Sequence, residues 1–253
     1  MADIAKRFPE NPLLHPSDLR PSAPGMRIEC LLNPGVFRFQ GKTCLLLRVA
    51  ERPEQKPGKT SFPIFSEAGE LKILEFDHAD PNLDRGDPRV LRYNGVDYLT
   101  TLSHFRVVTS KDGAHFQEDA YPPLFGKGDL ETYGIEDCRV TQMKGKYFLT
   151  FTQVSANGVG VGLRSTENWR EFASHGMILP PHNKDCALFD QPIDGKHYAL
   201  HRPSSPVLGG NYIWLAESPD LISRGGRTST LRTFSSVEKS VSPWNSRSLV
   251  RHS

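Results

Sequence analysis

Long apolar runs, paired cysteines and an excess of either charge are all scarce in this sequence, and each scarcity removes a class of protein. No apolar stretch is longer than the five residues of Tyr212–Ala216, and Cys44–Leu47 stops at Arg48. That is far short of the ~20 residues a membrane-spanning helix needs, so no membrane partner is expected. The opening residues, MADIAKRFPENPLLHP, hold no apolar core of a secretory leader. Four cysteines, Cys30, Cys44, Cys138 and Cys186, stand far apart, with no CxxC pair and no zinc-ligand spacing. They read as reduced thiols of a cytoplasmic protein, and neither a metal site nor an organic cofactor is expected.

Lys and Arg number 31 against 29 Asp and Glu, a formal net charge of +2 over 253 residues. The balance is uneven along the chain. The 31 residues from Ser223 hold six basic side chains and one acid, leaving 25 basic and 28 acidic residues before them. A slightly acidic body with a short basic end offers no broad nucleic-acid footprint. No helical apolar period is sustained either. Hydrophobic residues still make up 37% of the chain, enough to bury a core, and Gly 21 with Pro 20 favours many turns.

A repeat is present instead. Four segments share one form, a strand-like run, a two-residue turn ending in glycine, and a second run: GVFRF-QG-KTCLLLR, RVLRY-NG-VDYLTTL, RVTQM-KG-KYFLTFT and FDQPI-DG-KHYALHR. Their glycines, Gly41, Gly95, Gly145 and Gly195, lie 54, 50 and 50 residues apart. Asn-Gly and Asp-Gly suit the type I′ hairpin turn. A second element keeps the beat: VVTSKDGAHFQE, LRSTENWREF and LAESPDLIS each join a strand to a polar turn. Three to four short strands per ~50 residues fit a propeller blade. A β-sandwich with chance turn spacing is the alternative. Tyr98, Tyr147 and Tyr198 follow the turns in register and read as core.

In a propeller, equivalent positions of successive blades converge on one axial pocket. The polar residues opening each unit are Asn33, Asp87, Asp137 and Asn183-Lys184-Asp185, and those leaving the second run are Arg48, His104 and His201-Arg202. Acids, arginines and amides in one ring suit a hydroxyl-rich, partly anionic ligand, which points to a sugar site.

Asn33-Pro34-Gly35 with Arg48, Gly86-Asp87-Pro88-Arg89, Tyr133-Gly134-Ile135-Glu136-Asp137, His182-Asn183-Lys184-Asp185 with Leu188-Phe189, and His201-Arg202-Pro203 follow one another in order. Together they resemble glycoside hydrolase family 130, the β-mannoside phosphorylases and related β-mannosidases, over about residues 8–222. The resemblance implies an all-β fold, a five-bladed β-propeller, of which this chain shows about four recognisable blades with the last missing. It implies an inverting phosphorolysis of β-mannoside oligosaccharides to α-mannose 1-phosphate, with inorganic phosphate as co-substrate. Asp137 is then the proton donor, acting through the 3-hydroxyl of the mannosyl unit. Asn33, Arg48, Asp87 and Glu136 contact substrate, and Lys184, His201 and Arg202 face phosphate.

Blander roles compete with these. Asp87 suits a turn brace, Glu136 serves equally as acid or as orienting neighbour, and Arg202 before Pro203 can brace the channel. His104 and His182 read as rim residues. Cys138 stands where the family has proline, and Asp190 departs similarly. After Ile222 the motifs cease: residues 223–253 carry nine serines and no hairpin glycine at the due position near 245. The expected organisation is one incomplete propeller over 1–222 and a disordered, non-matching basic tail over 223–253, as a truncation or frame change would leave. On that expectation the isolated chain is poorly stable. Three rival functions stay open: a β-mannosidase of the same family, a propeller of another glycosidase clan, and a non-catalytic carbohydrate-binding propeller. Oligomeric state stays open too.

Overall fold

The computed structural model describes residues 7–65, 70–204, 212–222 and 235–237. Apart from one 3₁₀ turn, Pro16–Asp18, the regular structure of these residues is strand. Packing divides the chain into two units, one of residues 1–138 with 154–156, the other of 139–153 with 157–253. None of the described helices is long and apolar enough to cross a membrane.

In the first unit, β1 (Met26–Phe39) and β2 (Lys42–Pro53) form a long antiparallel hairpin. Then come β3 (Lys59–Phe65) paired with β4 (Leu71–Asp77), and a small sheet of β5 (Leu83–Asp84), β6 (Val90–Tyr93) and β7 (Val96–Leu99). β8 (Leu102–Ser110) and β9 (Gln117–Glu118) return to β2, giving a four-stranded sheet ordered β1-β2-β8-β9. Every residue of β8 is buried, as suits an inner strand covered on both faces. Leu47, Val49 and Val108 pack with Leu19 beneath this sheet. The intervening strands have their own aromatic core, in which the buried Phe62 stacks on Phe76 at 5.2 Å and meets Tyr98 at 4.6 Å.

The strands are therefore shared out differently from the sequence expectation. The run VVTSKDGAHFQE completes the sheet of the Gly41 hairpin, while the Gly95 hairpin belongs to a three-stranded sheet inserted between β2 and β8. Periodicity marks hairpins but does not say which hairpin a later strand joins. That choice rests on burial: β8 is buried throughout, polar residues included, and β7 is not.

β10 (Ile135–Met143), β11 (Lys146–Ser155), β12 (Gly158–Thr166) and β13 (Ala173–Leu179) form the next four-stranded sheet, in sequence order. β10 begins in the first unit and β11 ends there. The last sheet joins β14 (Asn183–Leu188), β15 (His197–Pro203), β16 (Trp214–Ser218) and β17 (Ser235–Val237). In the second unit Met143, Phe148, Val161, Leu163, Leu179 and Leu188 share one core. Tyr147 is buried against the fully buried Trp169, ring centroids 5.2 Å apart. β17 lies within the stretch expected to stand outside the fold, and pairs with β16 from Glu217↔Ser235 to Leu215↔Val237. The rest of 223–253 lies outside the described residues.

The turn chemistry is as the sequence indicates. Gln40-Gly41, Asn94-Gly95, Lys144-Gly145 and Asp194-Gly195 all have positive φ at both residues, 48° to 50° then 75° to 79°, the requirement of a type I′ turn. The polar turns recur as well. Thr166 Oγ1 accepts the Trp169 backbone N–H at 2.9 Å, and Ser110 Oγ accepts that of Gly113 at 2.8 Å.

Candidate active site

Three first strands depart from regular pleating at their polar residue. Asn33 in β1, Asp137 in β10 and Asp185 in β14 have φ of 32°, 52° and 53°. The β1–β2 register shifts between Leu32 and Gly35, and the β14–β15 register between Lys184 and Ala187. Non-glycine residues seldom hold this conformation, and Asn and Asp tolerate it best. It costs roughly 1–3 kcal/mol and turns a side chain away from the pleat.

In the first unit this brings four expected site residues together. Asp137 Oδ1 accepts a hydrogen bond from Asn33 Nδ2 at 2.8 Å and another from Arg48 Nη1 at 2.9 Å. Arg48 Nη2 donates to Glu136 Oε1 at 2.7 Å. Arg48 lies directly across from Leu32 in the β1–β2 pairing, so the Asn33 bulge and the guanidinium leave the hairpin at the same level. The Asp137 side chain is 9% exposed, against 18% for Arg48 and 20% for Glu136. The carboxylate that receives two donors is thus the more enclosed. One guanidinium faces two carboxylates, an arrangement rich in acceptors for sugar hydroxyls.

The segment before Asp137 is anchored on both sides. The Tyr133 hydroxyl donates to the Asp97 carbonyl at 3.0 Å. Gly134 forms a parallel bridge with Ser103, and a Cβ on it would fall 2.5 Å from the Ser103 carbonyl oxygen. Only glycine fits there. Cys138, the departure from the family's proline, is fully buried.

Asp87 does not join this group. It is half-buried, and its carboxylate accepts the Arg89 backbone N–H at 2.8 Å and the Arg89 guanidinium at 3.2–3.3 Å. Those bonds to Arg89 hold its carboxyl below the usual range. These are the contacts of a turn brace. His104 differs from expectation too. Far from a rim, it is wholly buried, its ring 4.7 Å from that of Phe125. Arg106 Nε donates to its Nε2 at 3.1 Å, so the proton sits on Nδ1, which is buried without a partner. Burial, and then Arg106, push its pKa down to about 3. The 3.4 Å approach of Glu51 to this neutral ring is consequently no ion pair. The Glu51 carboxylate is satisfied instead by Arg106 Nη2 at 2.8 Å and by the Ser22 hydroxyl at 2.7 Å.

In the second unit Lys184 stands opposite Arg202 across the β14–β15 pair. Arg202 donates from Nε to Asp185 Oδ2 at 2.7 Å, and its Nη2 lies 2.5 Å from the same oxygen. His201 is buried, with Nδ1 2.8 Å from Asn183 Oδ1. Burial lowers its pKa. Burial thus disfavours the charged ring, which leaves Lys184 and Arg202 as the cations of this group. Cys186 follows Asp185 as Cys138 follows Asp137, and burial pushes its thiol up to about 12. It is not a nucleophile. One contributor, Ser103, lay in no motif and carried no sequence signal; for Asp185, in a motif, what the sequence did not show was its pairing with Arg202. Among the described residues no cluster of three or more His, Cys, Asp or Glu is placed to hold a metal ion.

Comparison with known proteins bears on this geometry. Residues 90–244 match the family model Glyco_hydro_130, described as beta-1,4-mannooligosaccharide phosphorylase. The matched span runs past Ile222, the expected edge of the resemblance. A beta-1,2-mannobiose phosphorylase of Listeria innocua serovar 6a is 41% identical over 225 residues, 87% of this chain and 63% of that protein. A 1,2-beta-oligomannan phosphorylase of Thermoanaerobacter sp. is 29% identical over 49% of this chain and 41% of its own length. The chain thus spans less than two thirds of the curated relatives it matches. The solved structure of beta-1,2-mannobiose phosphorylase from Listeria innocua in complex with beta-1,2-mannobiose superposes with a TM-score of 0.76, covering 87% of this chain and 64% of that one. The all-β blades described above have the fold class of the family's five-bladed β-propellers. With a family model matched over more than half its length, the chain belongs to glycoside hydrolase family 130.

Proposed function

We propose that this chain carries the acid-bearing part of an inverting β-mannoside phosphorylase. The observation that supports the reading most is the Asp137 carboxylate, enclosed, on a left-handed residue, and aimed by Asn33 and Arg48. A phosphorylase needs one protein acid, because phosphate is itself the nucleophile. An inverting hydrolase needs a second carboxylate, set well apart to activate water. Here the neighbouring carboxylate, Glu136, shares Arg48 with Asp137 and so is placed beside the acid rather than opposite it.

In this reading Asp137 releases a proton to the 3-hydroxyl of the mannosyl unit, which passes its own proton to the glycosidic oxygen. The C1–oxygen bond breaks as a phosphate oxygen bonds to C1 from the opposite face. The products are α-mannose 1-phosphate and the shortened mannoside. Asn33, Arg48 and Glu136 hold the sugar. Lys184 and Arg202 supply positive charge to phosphate, where a guanidinium fork and an ammonium offset the charge of the nucleophile. His201 contributes a neutral ring. Phosphate is the only co-substrate in this scheme, and three buried cysteines among four free ones suit a reducing, cytoplasmic setting.

The names of the similar proteins make β-1,2-mannobiose the first substrate to test, ahead of the β-1,4 isomer. Each is incubated with the protein with and without inorganic phosphate, and mannose 1-phosphate and free mannose are followed. Phosphate-dependent mannose 1-phosphate is expected. Mannose released without phosphate would replace the reading with a β-mannosidase, and sugar binding without turnover would replace it with a binding propeller.

A further inference from the structure

Arg48 makes three directed bonds, and only two of them go to carboxylates. Its Nε donates to Ser103 Oγ at 2.8 Å, its Nη1 to Asp137 at 2.9 Å and its Nη2 to Glu136 at 2.7 Å. A guanidinium is a rigid planar fork whose preferred partner is one carboxylate held bidentately, through Nη1 with Nη2 or through Nε with Nη2. Here it is prevented from settling on either acid. Ser103 occupies the Nε edge, which closes the Nε–Nη2 mode to Glu136, so Glu136 takes Nη2 alone and Nη1 is left for Asp137.

Ser103 is suited to be the fixed point of this arrangement. It is 3% exposed and lies in β8, where all nine residues are buried. Its main chain forms the bridge with Gly134, whose backbone approaches so closely that no side chain fits between them. The residue thus touches both halves of the acid site, Arg48 through its side chain and the segment leading to Glu136 and Asp137 through its backbone. The two contacts are chemically separate, so removing the hydroxyl leaves the bridge in place.

We propose that Ser103 is a positioning residue, whose hydroxyl sets the angle of the Arg48 guanidinium so that one cation holds Asp137 and Glu136 at once. Without it Arg48 turns to pair bidentately with a single carboxylate, and Asp137 loses its fixed orientation toward substrate. The inference builds on Asp137 as the proton donor but is indifferent to whether phosphate or water attacks.

The test is Ser103→Ala in the full chain, read in two ways. The Arg48 Nε–H resonance, assigned by its disappearance in Arg48→Lys, exchanges slowly with solvent in the parent and at least about tenfold faster in Ser103→Ala, as expected when a hydrogen bond to a charged donor is lost. In turnover of β-1,2-mannobiose, kcat falls roughly tenfold or more while the substrate KM and the melting temperature change little. Ser103→Thr, which keeps the hydroxyl, restores slow exchange. An unchanged Arg48 exchange rate in Ser103→Ala overturns the proposal whether or not the chain is active. A parent chain that shows slow, Ser103-dependent exchange but no turnover overturns the phosphorylase reading alone.

Discussion

Asp137 and Asp185 hold the same backbone conformation, φ 52° and 53°, each just before a buried cysteine in the first strand of its sheet. Each carboxylate also receives an arginine from a second strand, Arg48 for Asp137 and Arg202 for Asp185. Arg48 and Arg202 both stand seven residues past a hairpin glycine, Gly41 and Gly195. The chain thus repeats one device, a left-handed acid with a guanidinium on it. Asp137 is the more enclosed of the two, at 9% side-chain exposure against 31% for Asp185. That difference suits a proton donor in one place and a solvent-reachable anion site in the other.

Asp137→Asn keeps the side-chain shape, a residue type that tolerates positive φ, and an oxygen for Asn33 and Arg48. It removes the proton that the reaction needs. The kcat for mannobiose phosphorolysis is expected to fall by about 10²–10⁴-fold, with an unchanged circular dichroism spectrum. Steady-state kinetics with a fold control checks this, and a fully active variant would mean that another group is the acid.

Arg202→Met leaves Asp185 without its cation and Lys184 as the remaining positive charge of that group. The KM for phosphate is expected to rise about tenfold or more, the cost of one charge-assisted contact. The KM for mannobiose should stay close to the parent value. Initial rates over a phosphate series at fixed sugar separate the two.

His104 ties stability to pH. Its folded-state pKa, about 3, lies below the ordinary 6.5 because the ring is buried beside Arg106. Between these values the unfolded chain binds a proton that the folded chain refuses. Stability from this group is therefore complete above about pH 6.5 and is lost as pH falls toward 3, by up to ~1.4 kcal/mol per pH unit. Urea unfolding from pH 7 to pH 4 should show a steeper decline for the parent than for His104→Leu. Equal slopes would place the titration elsewhere.

Gly145→Ala isolates the turn requirement. An added Cβ would meet nothing within 4 Å, yet φ is +79°. The cost is backbone strain alone, about 1 kcal/mol, or roughly 2–4 °C in a domain of this size. Differential scanning fluorimetry reads it. A larger loss would mean that the hairpin does more than close β10 onto β11.

How much of this was legible beforehand follows from the range of each interaction. The four hairpin turns, the strands beside them and the polar turn after the third strand are decided within a few residues, by glycine's freedom at positive φ and by Ser and Thr oxygens accepting nearby backbone N–H groups. Those were plain in the amino-acid order, as was the motif from Tyr133 to Asp137. Tertiary structure alone decided that β8 closes the sheet of the Gly41 hairpin, and that Arg48 crosses 89 residues of chain to reach Asp137. It also buried His104 and set Ser103 against Gly134. Strand order and side-chain partnership depend on which surfaces lose water together, a property of the packed whole that no local spacing encodes.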